Sequence, residues 1–170
     1  MVRQAFSRLP GAVALSRATT DLGSMFMVAG AAAMLLAGGR VRRAGEVAAA
    51  GALGWTVAHQ AKKVFDRPRP YEAEATPRLI AEPTGSSMPS GHAAVAMATA
   101  TVLAGRAGPG RRWVWLLMPA WVPLTRIHLG VHYPTDTMAG LILGHGLGRL
   151  VVAVSDHRSR RQPQDDGRVV

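Results

Sequence analysis

The chain contains no cysteine, which excludes disulfides, a thiol nucleophile and any cysteine-ligated metal. Aromatic side chains make up only 5% of its 170 residues, although 48% are hydrophobic, so the apolar content rests on Ala, Val, Leu and Met, with 19 Gly beside them. Sustained alternation of apolar and polar residues is missing, and Val and Ile do not cluster between turn residues, so no strand is expected. Lysine is almost absent. All but two of the 20 cations are arginine, which with the Ala, Gly and Val bias fits a GC-rich genome. Acidic residues number 10, leaving a net charge of +10 that suits nucleic acid, an anionic membrane surface or membrane-topology signals. No cleavable signal peptide is recognisable at the start. The length suits one domain with one core, residues 1–156, followed by a basic tail.

The cations that are present bracket apolar stretches instead of mixing into them. The first stretch, residues 22–39, runs 18 residues without a charge, long enough for a membrane helix. Others cover residues 47–61, 93–105, 113–127 and 138–154. Several fall short of the roughly 20 residues of a full span, and polar ends supply their missing turns. The expected fold is all-α: a compact bundle of about five transmembrane helices, with residues 1–21 as an amphipathic helix on the membrane surface carrying Arg3, Arg8 and Arg17. A soluble Ala-rich helical bundle is the alternative, in keeping with a mean hydropathy of +0.12. Gly140, Gly144 and Gly148 recur every four residues, either as a stripe permitting close helix approach or as simple glycine richness. Four prolines make residues 64–88 a loop, with room for a short surface helix over 72–80, and residues 157–170 read as a disordered basic tail.

Three short polar clusters interrupt this apolar background: Lys62 with Arg69-Pro70, Pro89-Ser90-Gly91-His92, and Arg126 with His132 and Asp136. Fixed cations and a hydroxyl at a helix start are what a phosphate dianion needs for binding. Two histidines, one with a carboxylate four residues on, are what breaking its ester bond needs. Helix order brings the three clusters to one end of the bundle. The opposite end collects Arg40, Arg42, Arg43, Arg106, Arg111, Arg112 and the arginines of the tail, so by the positive-inside rule it is cytoplasmic and the clusters open to the extracytoplasmic side of the cell membrane.

The clusters resemble the signature of the type 2 phosphatidic acid phosphatase family, which also includes soluble acid phosphatases and vanadium haloperoxidases. That signature is Lys, six residues, Arg-Pro; then Pro-Ser-Gly-His; then Ser-Arg, five residues, His, three residues, Asp. The resemblance covers residues 62–136 with both internal spacings intact, and departs only where Thr125 stands for Ser. Five helices also depart from the six spans of the family's membrane members, and the amphipathic start stands in place of the sixth.

The resemblance implies a phosphatase that works without metal or other cofactor. Lys62, Arg69 and Arg126, with the Ser90 hydroxyl and the Gly91 amide, would hold the phosphate and the charge that develops on it. His132 is implied as the nucleophile that forms a phosphohistidine. Asp136 would hold the other nitrogen of its ring, and His92 would protonate the leaving oxygen and then activate water. Of the other cations near the motif, Lys63 and Arg67 read as interfacial snorkelling residues. His128 is expected to support the site from behind, His59 and His145 to make helix–helix hydrogen bonds, and His157 to be solvated.

A site at the membrane–water interface takes amphiphiles whose head reaches water while the tail stays in lipid. Polyprenyl phosphates or diphosphates, phosphatidylglycerol phosphate and phosphatidic acid all fit, with a lean to polyprenyl-linked substrates. Two other classes stay open: a vanadate-dependent haloperoxidase on the same residues, and a non-catalytic membrane protein that binds a lipid phosphate. Nucleic-acid binding is not expected, because the cations sit at helix ends and not along one stripe.

Overall fold

The computed structural model describes residues 11–74 and 77–161. Within them every regular element is helical: α1 (Ala12–Thr19) with a 3-10 turn (Thr20–Gly23), α2 (Met25–Ala37), α3 (Val41–Phe65), α4 (Pro70–Ala73), α5 (Gly91–Gly105), a 3-10 turn (Pro109–Arg111), α6 (Arg112–His128) and α7 (Pro134–Arg161).

Helix α5 runs through the middle of the bundle, packed on α3, α6 and α7 and on the 3-10 turn that follows α1. Its sequence explains the position. Ala93, Ala94, Ala96, Ala98 and Ala100 are fully buried, and so small a helix lets three neighbours approach at once. The facing side of α7 is the stripe Gly140, Gly144 and Gly148. A Cβ on Gly148 would lie 2.7 Å from the Ala98 carbonyl oxygen, and one on Gly144 or Gly140 would run into the carbonyls of Ala94 and Ser90. The stripe is therefore a contact surface. Val28, Val47, Ala50, Val95, Ala98, Val102 and Val151 close the core between α2, α3, α5 and α7.

Large apolar side chains also face outward, and polar ones are buried beside the apolar core. Phe26, Met34, Val64 and Ile142 point outward, between 73% and 88% exposed, while Ser16, Thr20, Arg69, Ser87, Ser90, Thr125, Arg126, His132 and Asp136 are buried. Among the described residues α7 alone is long and apolar enough to cross a bilayer as a single straight helix. The segment from α1 to its 3-10 turn passes together with α2, bent by 61°.

Three expectations change. Of the amphipathic start, residues 1–10 lie outside the described residues. Helix α1 does not simply rest on a surface: it packs on α6, with Ser16 bonded to the His128 imidazole at 2.8 Å. Its inward face is the polar one because the partners it covers are polar. The surface helix over 72–80 is replaced by the single turn α4, started by Pro70 at its first position. Residues 157–161, expected in the tail, belong instead to α7, which runs through Arg161; residues 162–170 lie outside the described residues.

Candidate active site

The three clusters meet at the end of the bundle where α3 stops and α5 and α7 begin. Direct hydrogen bonds tie them together. Lys62, in the last turn of α3, donates to the Ser86 carbonyl at 2.5 Å. The Ser90 amide donates to the Asp136 carbonyl at 2.9 Å. Arg69, only 1% exposed, donates through Nη1 to the Val131 carbonyl at 2.9 Å and through Nε and Nη2 to carbonyls of residues 84–86 at 3.0–3.4 Å. Most of its donors are thus spent on backbone. Arg69 shapes the loop ahead of Ser90 and leaves little beyond its charge and one Nη1 proton for a ligand.

Other polar atoms at the same place have no partner. The Oγ of Ser90, the Nε of Arg126 and the Nδ1 of His132 are buried without a hydrogen bond among the described residues. Ser90 stands at the N-cap of α5, yet its side chain makes no cap bond. A Cβ on Gly91 would meet nothing within 4 Å, so open space lies before the first turn of α5. Buried polar groups are otherwise satisfied as a rule. A hydroxyl, a guanidinium N–H and the amides of a helix start, all unused, form the donor side of an anion site.

His132 follows α6 and is 3% exposed. Burial pushes its pKa down to about 4; the pull of Asp136 works against this, and the charges of Arg126, Arg69 and Lys62 add to it. Its ring is therefore neutral at pH 7 and keeps a lone pair. Asp136 lies behind it, with Oδ2 3.7 Å from Nδ1, an electrostatic contact and not yet a closed hydrogen bond. The carboxylate is fully buried and held from several sides. Oδ2 accepts the Tyr133 amide at 2.8 Å, as a third-position acid does in a helix cap, and also the Ser87 hydroxyl. Oδ1 accepts Nη1 of Arg67 at 2.8 Å.

His92 stands in the first turn of α5, two residues after Ser90. Its Nε2 sits 3.6 Å from Oδ1 of Asp21. Arg126 is steadied by Thr20, whose hydroxyl oxygen accepts from Nη1 at 3.0 Å. Thr125, the departure from the signature, donates its hydroxyl to the Val122 carbonyl at 2.8 Å and stands 3.3 Å from the Thr20 hydroxyl.

All eight sequence-derived site residues are thus gathered at this one end of the bundle. Four more take part to which sequence reasoning gave no role in the site. Arg67, read as a snorkelling residue, instead pairs with Asp136, bonds the Thr135 hydroxyl at 2.8 Å and stacks 4.2 Å over the Tyr133 ring. Ser87, Thr20 and Asp21 arrive from loops outside the motif. Only the alternation Arg67-Pro68-Arg69-Pro70 hinted at a second functional arginine. Among the remaining histidines, His145 bonds the Thr101 hydroxyl on α5 at 3.3 Å, as expected of a helix–helix contact. His128 ties α6 to α1 through Ser16, and His157 is exposed. His59 differs: it stacks on Trp55 of its own helix with ring centroids 5.2 Å apart, because both lie on the outer face of α3 one turn apart. The described residues contain no group of three or more His, Asp or Glu able to ligate a metal.

Residues 43–160 match the PAP2 superfamily. The decaprenylphosphoryl-5-phosphoribose phosphatase of Mycobacterium tuberculosis is 35% identical over 166 residues, spanning 94% of this chain and 89% of that protein. The undecaprenyl-diphosphatase of Sulfolobus acidocaldarius is 34% identical over 97 residues, 55% of this chain and 46% of the relative. Among solved structures, LpxE of Aquifex aeolicus superposes with a TM-score of 0.79 at 25% identity, covering 89% of this chain and 90% of its own. The phosphatidylglycerolphosphate phosphatase of Bacillus subtilis shares the fold, with a TM-score of 0.70 at 22% identity over 95% of this chain and 86% of its own.

Proposed function

The chain belongs to the PAP2 superfamily and is a phosphoric ester hydrolase, and from that we propose that it is a multi-pass membrane phosphatase acting on a polyprenyl-linked lipid phosphate through a phosphohistidine. The observation that carries this reading is the set of unused buried donors, Ser90 Oγ and Arg126 Nε, beside a neutral His132. Such a set loses stability unless an anion completes it.

The chemistry follows from the geometry. Lys62, Arg126, Ser90 and the amides of α5 bind the phosphate oxygens and neutralise charge in the transition state, with the Arg69 charge behind them. Nε2 of His132 forms a bond to phosphorus as the ester P–O bond breaks on the opposite side. The leaving oxygen takes its proton from His92. Asp136 closes on the Nδ1 proton and stabilises the phosphorylated imidazolium. Water then attacks phosphorus and gives its proton to His92, the P–N bond breaks, and phosphate leaves with His132 again neutral. No step calls for a metal, because the fixed cations stand where magnesium would.

Membrane embedding is supported by the exposed apolar belt around a polar interior. In this reading α2, α3, α5, α6 and α7 cross the bilayer, and the site faces the extracytoplasmic side by the arginine asymmetry. The polyprenyl preference is supported by the names of the curated relatives.

One experiment tests the whole: purified protein in detergent with excess EDTA, offered polyprenyl phosphates and diphosphates, a decaprenylphosphoryl sugar phosphate, phosphatidylglycerol phosphate and phosphatidic acid. Phosphate release, fastest on a polyprenyl substrate and inhibited by vanadate, is expected. Loss of activity that magnesium restores would overturn the metal-free mechanism, and tight binding without turnover would make the chain a lipid-phosphate binder. Activity that requires added vanadate and peroxide would make it a haloperoxidase.

A further inference from the structure

One cation is not explained by either end of the bundle. Arg149 is the single charged residue in the apolar stretch 138–154, and it makes no hydrogen bond or ion pair among the described residues. It lies seven residues before Asp156, which places it about 10 Å along the helix toward the bundle's middle. With His145, Asp156 and Arg160 it shares one face of α7. That face lines a cavity of about 690 Å³ reached by Arg112 from α6 and by Thr101 from α5. Three guanidinium groups and the His145 imidazole therefore meet one carboxylate. Asp156 already accepts Arg42 and Arg106, each at 2.7 Å, and the Thr101 hydroxyl is engaged by His145. The positive charge of the groove is left uncompensated. Apart from His157 its remaining wall is apolar, with Ala104, Leu116, Val152 and Ala153, and Leu116 is 49% exposed, so the groove opens sideways where the membrane reading places lipid tails.

We propose that this groove between α6 and α7 is a second lipid site, separate from the catalytic one, which holds the phosphate of an anionic phospholipid against Arg112, Arg149 and Arg160 while its acyl chain lies along Leu116. An ionisable residue inside a membrane span needs a polar partner, and the described residues supply none for Arg149. Snorkelling toward the nearest end does not remove the need. That end already carries Arg42 and Arg106 on Asp156, the one carboxylate among the described residues that lines the groove. A phosphodiester headgroup provides an oxygen for each arginine, and its tail fits a groove open to the side. A free phosphate ion would satisfy the cations and leave the apolar wall uncovered.

The proposal rests on the membrane reading, and its test keeps the two apart. Phosphatidylglycerol is the probe because it is a phosphodiester, which a phosphomonoesterase leaves intact. Purified wild-type protein in detergent, with vanadate in the catalytic site, is titrated with phosphatidylglycerol or phosphatidylcholine, and retained lipid is read by native mass spectrometry. Wild type should retain phosphatidylglycerol over phosphatidylcholine. Arg149→Gln and Arg112→Gln should each weaken retention about fivefold, the share of one interfacial arginine. Both variants should still turn over nitrophenyl phosphate, which shows that they fold. Arg158→Gln removes the same charge outside the groove and should leave retention unchanged. Equal loss in Arg158→Gln, or no loss in Arg149→Gln, would overturn the site. Displacement of the lipid by millimolar inorganic phosphate would make it a free-anion site, and a dimer that dissociates in Arg149→Gln would make the groove a contact between copies. Both results reject the lipid. Extraction of the protein from membranes by carbonate alone would remove the membrane reading first, and the proposal with it.

Discussion

The two ends of the bundle carry similar charged groups and treat them in opposite ways. At the arginine-rich end the buried carboxylate of Glu46 accepts Arg106 at 2.6 Å through Oε1 and 2.9 Å through Oε2, Arg42 at 3.1 Å and the Ser155 hydroxyl at 2.5 Å. Asp156 accepts the same two arginines. The cluster ties α3, α5 and α7 together and leaves Glu46 nothing further to bind. At the other end Asp136 is as fully engaged, but Ser90, Arg126 and His132 hold back atoms from any partner. Saturation marks a joint; unsatisfied buried donors mark a place prepared for something absent from the chain itself. Substitution at the two ends should therefore separate folding from catalysis.

The largest effect is expected at His132. On the proposed mechanism His132→Ala removes the attacking group and should lower turnover by about 10⁴-fold or more. The thermal midpoint in detergent should hardly move, since the ring has an unpartnered nitrogen to lose. Labelled phosphate trapped on the wild type should be acid-labile and base-stable. Because burial keeps the imidazole neutral down to about pH 4, the acid limb of kcat/KM should carry no His132 titration near 6.5. Comparable turnover in folded His132→Ala would move the nucleophile elsewhere.

Glu46→Gln tests the opposite end. It leaves Arg106 largely buried with one carboxylate fewer, and should destabilise the fold by about 2–3 kcal/mol, given that Arg42 is half exposed and can return to water. Turnover per folded molecule should be unchanged. Adding Arg106→Gln should cost less than the sum of the two single changes, because the second substitution removes the charge that the first left stranded. Full additivity would mean that the cluster is not a joint.

What the chain order reveals divides along the same line. The motif residues Lys62, Arg69, Ser90, Gly91, His92, Arg126, His132 and Asp136 are legible because each sits a fixed step from a helix end, and helix order alone brings those ends together. Arg69 shows the limit: its residue type fits phosphate, but its neighbours 84–86 and Val131 turn it into a loop clamp, and no local pattern announces which carbonyls a loop will present. Thr20 escapes for a different reason. It belongs to a segment whose buried face carries Ser16 and Thr20, against the ordinary reading of an amphipathic helix, while Asp21 beside it stays exposed. The late end of α7 is equally hidden, since Asp156 and Ser155 are held in the helix by partners on α3 and α5. Arg149 fell inside an apolar stretch whose hydropathy outweighed it.

Arg67 sharpens the contrast from within the site. It behaves as a saturating partner, with one nitrogen on Asp136 and its guanidinium over the Tyr133 ring, so it belongs to the joint that holds the Asp136 carboxylate. Arg67→Gln should lower kcat about 10- to 100-fold, the range for a residue that orients a primary catalytic group. KM should move little, because Arg67 is not among the unused donors. Arg67→Lys keeps the charge but not the planar fork over Tyr133, and should recover only part of the activity. A rise in KM with kcat intact would instead make Arg67 a phosphate ligand.

The smallest effect is expected at Asp21, where the two treatments of charge meet. Its carboxylate is largely exposed and 3.6 Å from Nε2 of His92, a distance at which a protonated imidazole is favoured without being locked. Asp21→Asn keeps the shape and removes that support, so it should lower kcat by a few-fold for a substrate whose leaving oxygen needs a proton. With nitrophenyl phosphate, whose leaving group departs as an anion, the same variant should match the wild type, and His92→Ala should show a larger version of the same split. An equal loss on both substrates would place Asp21 in phosphate binding or in the packing of the 3-10 turn over the site, and not in the proton transfer.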